Sequence, residues 1–166
     1  LLLLICVCGW ESHASADCAD IKITTKQQVV SKGDTVYVMV TVTSTTAMSG
    51  FEGFFTYDNT VLQFQTGGSV VYGNDDAFQI SDIDRSSTAT KLKYSIKFKA
   101  RKAGDTEIAL TGPYHVFGES TSTKLSASYN SLVLVVKDRE KATAKEPSVA
   151  KKPVQSARPK KPRGSK

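Results

Sequence analysis

Val36, Val38, Val40 and Val42 alternate without interruption with Tyr37, Met39, Thr41 and Thr43, and this run constrains the fold more than any other part of the chain. Successive side chains of a strand point to opposite faces, so a period of two gathers the four valines on one side, which no helix does. Their β-branched side chains also suit the extended backbone. The turn-forming sequence Ser31-Lys32-Gly33-Asp34 precedes the run. The same period sets Leu92, Tyr94, Ile96 and Phe98 against Lys91, Lys93, Ser95, Lys97 and Lys99, and it spaces Ile21 and Ile23. Ala103-Gly104-Asp105 turns the chain into a run through Ile108 and Leu110, and Leu132 to Val136 closes the pattern. No window sustains an apolar repeat at three, four and seven residues, so the domain is expected to be all-β.

A second segment, Gly50 to Phe64, reads as a strand, a polar turn and another strand. Phe51, Gly53, Phe55 and Tyr57 fall on one face and Glu52, Phe54 and Thr56 on the other. Asp58-Asn59 interrupts the run, since both side chains bond their own backbone in turns, and Val61, Leu62 and Phe64 resume it. Between Thr66 and Thr90 loop residues dominate, with short strands expected at Val70-Val71-Tyr72 and around Phe78, Ile80 and Ile83. Short strands and turns at this density predict two packed antiparallel sheets. The roughly 120 residues from Asp17 to Val136 suffice for one domain.

The two ends differ from this domain. Leu1 to Trp10 is almost wholly apolar, Glu11-Ser12-His13 stops it, and Ala14-Ser15-Ala16 follows, the pattern of a signal peptide cleaved after Ala16. A membrane span needs roughly 20 apolar residues, twice this run. A buried N-terminal helix is the alternative reading. No Met or basic segment precedes Leu1, so the leader is expected to be incomplete. Cleavage would leave Cys18 as the sole cysteine, read as a free thiol on a frayed end, and His115 as the sole histidine. From Lys137 to Lys166 eleven Lys and Arg face three Asp and Glu, a net +8. Subtracting this from the chain's +6 leaves −2 for residues 1–136. With Pro147, Pro153, Pro159 and Pro162, residues 138–166 are expected to be a disordered linker or polycationic arm.

Together these blocks resemble the bacterial cohesin modules and their relatives among the carbohydrate-binding modules. The resemblance rests on Lys32-Gly33-Asp34-Thr35-Val36, on Gly50 to Phe64 with Tyr57-Asp58 and Val61-Leu62, and on Ile96-Lys97-Phe98-Lys99-Ala100 followed by Ala103-Gly104. It implies a jelly-roll β-sandwich of about nine strands over residues 17–137, secreted or held at the cell surface and without enzymatic activity or cofactor. It further implies an adaptor that recognises a calcium-loaded dockerin or another surface protein module through one sheet face. Many cohesins carry Asn-x-Asp just before the Tyr-Asp turn. The aligned residues here are Gly50-Phe51-Glu52, so Glu52 supplies an acceptor and Gly50 departs from the pattern. Glu52 and Phe54, on the outward face, are the expected partner-binding residues.

Competing chemistry finds little material. Hydrolysis needs paired carboxylates, an activated nucleophile or a metal. His115 has no second imidazole beside it in the mature chain, and Asn74-Asp75-Asp76 and Asp82-Ile83-Asp84 read as solvated loop carboxylates, with a calcium site as the alternative. Carbohydrate binding is the rival function. It would need exposed rings, available at Tyr37, Phe54, Tyr72, Tyr114 and Tyr129, and three of them coplanar would favour it. The lysines at 91, 93, 97 and 99 read as a solubilising outward face, or alternatively as a seat for an anionic ligand. The basic tail reads as an arm for polysaccharide or an anionic wall polymer, and nucleic acid is not expected for an exported chain.

Overall fold

The computed structural model describes residues 18–83 and 85–139, so Asp84, the leader with Ala16 and nearly all of the basic tail lie outside the described residues. Eleven strands form in chain order: β1 (Cys18–Thr25), β2 (Val29–Ser31), β3 (Thr35–Met48), β4 (Gly50–Thr56), β5 (Leu62–Thr66), β6 (Val71–Gly73), β7 (Ala77–Asp82), β8 (Ala89–Ala100), β9 (Gly104–Phe117), β10 (Lys124–Tyr129) and β11 (Leu132–Lys137). No helix appears among the described residues. Nine strands lie on one hydrogen-bonded path, β5-β8-β3-β1-β10-β9-β4-β7-β6, and β11 with β2 flanks β9. The path folds back into a two-layer, nearly closed sandwich. Phe64 of β5 lies against Gly73 of β6, and the rings of Phe64 and Phe78 sit 6.5 Å apart, so the two ends of the path meet.

The period of two accounts for the register. Val36, Val38, Val40 and Val42 of β3 are buried opposite Phe98, Ile96, Tyr94 and Leu92 of β8. Each burial of this size contributes about 1.5–3 kcal/mol. A slip of one residue would turn all four valines to water, so the pairing is strongly specified. From the other sheet Phe51, Phe55 and Phe78 face these residues, with Phe55 stacked on Phe78 at 4.8 Å and Phe51 tilted against Tyr94 at 5.9 Å. Tyr57 meets Phe98 edge-on at 5.0 Å and donates its hydroxyl to the Asn74 carbonyl at 2.8 Å.

The predicted turns form for the reasons expected of them. Asp34 N–H donates to the Ser31 carbonyl at 2.9 Å, and Gly33 adopts φ +91°, a left-handed conformation that glycine takes without strain. Asp58 Oδ1 accepts from Thr60 N–H at 2.8 Å, and hydrogen bonding from the Thr60 side chain, then from its N–H, holds the carboxyl below its usual pKa.

Four local expectations change. The Asp58-Asn59 turn does not join paired strands, because β4 belongs with β7 and β9 while β5 pairs β8. Pairing is not wholly antiparallel, since β1 runs parallel to β10 and β2 parallel to β11. Cys18 is free and exposed, yet it begins β1 in register with Ser126 and is not a frayed end. Asp82 is no solvated loop carboxylate. It is buried at the end of β7, accepts from the Tyr94 hydroxyl at 2.8 Å and pairs with Arg85. That link bridges the two sheets, with burial and the neighbouring carboxylate raising the Tyr94 pKa. Ile83, just past the strand end, is exposed.

Candidate partner-binding face

The outer surface of the β6-β7-β4-β9 sheet carries the residues singled out for recognition. Along β4 Phe51, Gly53 and Phe55 turn inward, which leaves Glu52, Phe54 and Thr56 facing outward. Phe54 is 38% exposed, a large ring that the core does not claim. Its neighbour on β7 is Gln79, which also pairs with Tyr72 of β6, and Tyr72 is 61% exposed. Phe54, Tyr72, Asn74 and Gln79 border a groove of about 170 Å³.

An irregularity in β9 shapes the other side of Phe54. Gly53 pairs with Tyr114 and Phe55 with Leu110, so Thr111, Gly112 and Pro113 all oppose the single residue Phe54. Bulges of this kind bend a strand and re-aim side chains beside binding sites. Gly112 lies directly under the ring, since a Cβ there would sit 2.8 Å from the Phe54 Cβ. Pro113, with no N–H for a ladder, is tolerated at such a bulge.

Glu52 anchors a polar row next to this apolar centre. Its Oε1 accepts from Gln79 Nε2 at 3.2 Å, and its cross-strand partner on β9 is His115. Lys124 Nζ lies 3.4 Å from His115 Nε2. Farther along β9, Asp105 and Glu107 point outward beside Val135 and Val133 of β11, and Val133 is 53% exposed. The face thus combines an aromatic centre, exposed aliphatic surface and three carboxylates.

Sequence reasoning placed Glu52 and Phe54 correctly on one outward face but missed Tyr72, Gln79 and His115 as their neighbours. His115 stands 63 positions from Glu52, and only the β4·β9 register brings them together. The departure at Gly50 has a steric cause, since a Cβ there would collide with the Asp82 carbonyl oxygen. The five rings proposed for a glycan platform do not all share a plane. Tyr37 lies on β3 in the opposite sheet, and Tyr114 meets Tyr129 at 72°. Asp75 and Asp76 are solvated, in a turn that Asn74 Oδ1 holds by accepting from Ala77 N–H at 2.9 Å. Among the described residues no three His, Cys, Asp or Glu side chains gather as a metal site.

No family profile and no curated protein matches this sequence. Solved structures do. The sixth cohesin of scaffoldin B from Acetivibrio cellulolyticus, solved in complex with a mutant Cel5 dockerin, is 20% identical with TM-score 0.56, over 72% of this chain and 99% of its own. A non-cellulosomal cohesin from the archaeon Archaeoglobus fulgidus is 13% identical with TM-score 0.57, over 74% and 93%. The third ScaB cohesin of R. flavefaciens, in complex with a group 1 dockerin, is 15% identical with TM-score 0.55, over 76% and 99%. The domain therefore has the cohesin fold, a jelly-roll sandwich spanning nearly the full length of these modules.

Proposed function

We propose that this is a non-catalytic, secreted or surface-associated adaptor module that binds a protein partner through the outer face of β4, β7 and β9. The observation that carries this reading is Phe54, a half-exposed ring over Gly112, flanked by the Glu52–Gln79 hydrogen bond, on a domain with the fold of cohesins solved with dockerins. Buried aromatic anchors ringed by polar groups dominate binding energy at protein interfaces. The partner is a dockerin-type module, calcium-loaded as the resemblance implies. Gly50 removes the Asn of the usual recognition triplet, so its specificity differs from that of a standard pair. The basic arm beyond residue 137 holds the adaptor near an anionic envelope.

The test is retention of proteins from culture supernatant on the immobilised full chain, with calcium or with a chelator. The expected result is a protein retained only with calcium and lost with Phe54→Asp. Recovery of polysaccharide in place of any protein would sink the adaptor reading in favour of a carbohydrate-binding module, and equal retention of the protein by the variant would remove Phe54 from the binding face.

A further inference from the structure

On the opposite side of the sandwich, the outer face of β1, β3 and β8 has a different chemistry. Lys91, Lys93, Lys97 and Lys99 project from β8 in register with Thr43, Thr41, Tyr37 and Thr35 of β3. Lys22 of β1 continues the field beside Thr41. Alternate residues of a strand recur about every 6.8 Å, so the β8 lysines form a row roughly 27 Å long. Among the described residues, none of these four lysines has a carboxylate within ion-pair distance; the one acid on the face that pairs is Asp20, with Lys22 at 2.9 Å. Solubility alone would be served by mixed charges. Here residues 1–136 carry a net −2, and yet five lysines gather on the outer face of this sheet while Glu52, Asp105 and Glu107 occupy the other.

One ring interrupts the lysine face. Tyr37 is 58% exposed beside Lys97, between depressions of about 180 and 220 Å³ that Thr25 and Lys26 also line. An exposed phenol ring offers a flat apolar surface with a wet polar tip, which suits the face of a pyranose. Flexible ammonium groups at regular spacing suit a chain of repeated negative charges. We infer that the β1-β3-β8 face binds a linear polysaccharide bearing carboxylates of the uronic-acid type, with the β8 lysines taking the charges and Tyr37 stacking on a sugar ring. The regular pairing of β3 with β8 from Thr35 to Thr43 keeps this face continuous, as an extended polymer requires. The two faces are back to back, so polymer and protein partner can be held together.

The test uses the full chain, so that the basic arm contributes equally to every variant, with polygalacturonate and with ring-free polyacrylate as probes. K91Q/K93Q/K97Q/K99Q is expected to weaken polygalacturonate binding at least tenfold at low salt. It should also make the dependence on salt shallower by about two to four in the log–log slope. Tyr37→Ala should weaken polygalacturonate severalfold and leave polyacrylate unchanged. Melting temperature and retention of the calcium-dependent partner should not move, because all five side chains lie outside the core and on the far side from Phe54. Parental affinity in the fourfold variant would assign the binding to the arm and overturn the proposal. Parental affinity of Tyr37→Ala for polygalacturonate would overturn the glycan assignment.

Discussion

The two outer faces of this sandwich share one core and differ in nearly everything else. Behind both lies the same alternation: Val36 to Val42 and Leu92 to Phe98 are buried under one face, Phe51, Phe55 and Ile80 under the other. The β3·β8 face is regular and cationic, with nine consecutive pairs from Thr35↔Lys99 to Thr43↔Lys91. The β4·β9 face is bulged, aromatic and acidic, with its register broken opposite Phe54. The contrast shows how a sandwich separates folding from recognition. Inward positions answer to packing, which rewards the same residue types on both sheets, while outward positions are free to carry unlike chemistry.

The most drastic way to break the comparison is through what the faces share. Phe55 is fully buried and stacked on Phe78, so Phe55→Ala should cost about 3–5 kcal/mol in denaturant unfolding. Binding at both faces should fall with it; loss at one face alone would show that the sheets are less coupled than the packing implies. Gly50→Asn, which installs the missing Asn of the cohesin triplet, should destabilise by about 1–3 kcal/mol through its clash with the Asp82 carbonyl. A neutral melting curve would refute that steric account.

Tyr94→Phe tests the link between the sheets. Removing a hydroxyl that donates to buried Asp82 should cost about 1–3 kcal/mol. The same group sets a pH dependence. The folded pKa of Tyr94 is raised above its ordinary value near 10, so its contribution is fully present below that pH and is lost as pH rises above it. Tyr94→Phe should therefore flatten, though not abolish, the decline of stability at alkaline pH, since burial also raises Tyr57. An unchanged alkaline slope would remove Tyr94 from the explanation.

Changes on the surfaces should separate the faces with little effect on folding. Phe54→Asp should abolish partner retention while leaving stability within about 1 kcal/mol, because the ring is already half in water. Deleting residues 138–166 should release the protein from cell walls at low salt, and full retention would mean that the sandwich anchors itself. Smallest of all, Lys22→Gln should alter stability by less than about 1 kcal/mol, since its pair with Asp20 is exposed.

Much of the fold was legible from period and turn chemistry. The valine run, the lysine-backed strand and the inward set Phe51, Phe55 and Tyr57 are where alternation placed them, because a strand's facing follows from local geometry alone. Glu52 and Phe54 were legible for the same reason, being what remained when the inward residues were removed. The buried Asp82 was not, since nothing local to Asp82-Ile83-Asp84 announces the Tyr94 hydroxyl that β8 brings to it. Nor were the parallel pairings of β1 with β10 and β2 with β11, which join strands about a hundred residues apart.

The sequence by itself thus determined that residues 18–137 make strands, which side of each strand is apolar, and where Gly33 and Asp58 turn the chain, since each of these depends on a few neighbouring residues. Only the tertiary structure decided which strands are partners. That choice carries the chain across the Asp58 turn from one sheet to the other, sets His115 beside Glu52, puts Phe54 opposite the Thr111–Pro113 bulge and gathers the lysines on the far face. Pairing rests on burial summed over distant segments, and no local pattern contains that sum.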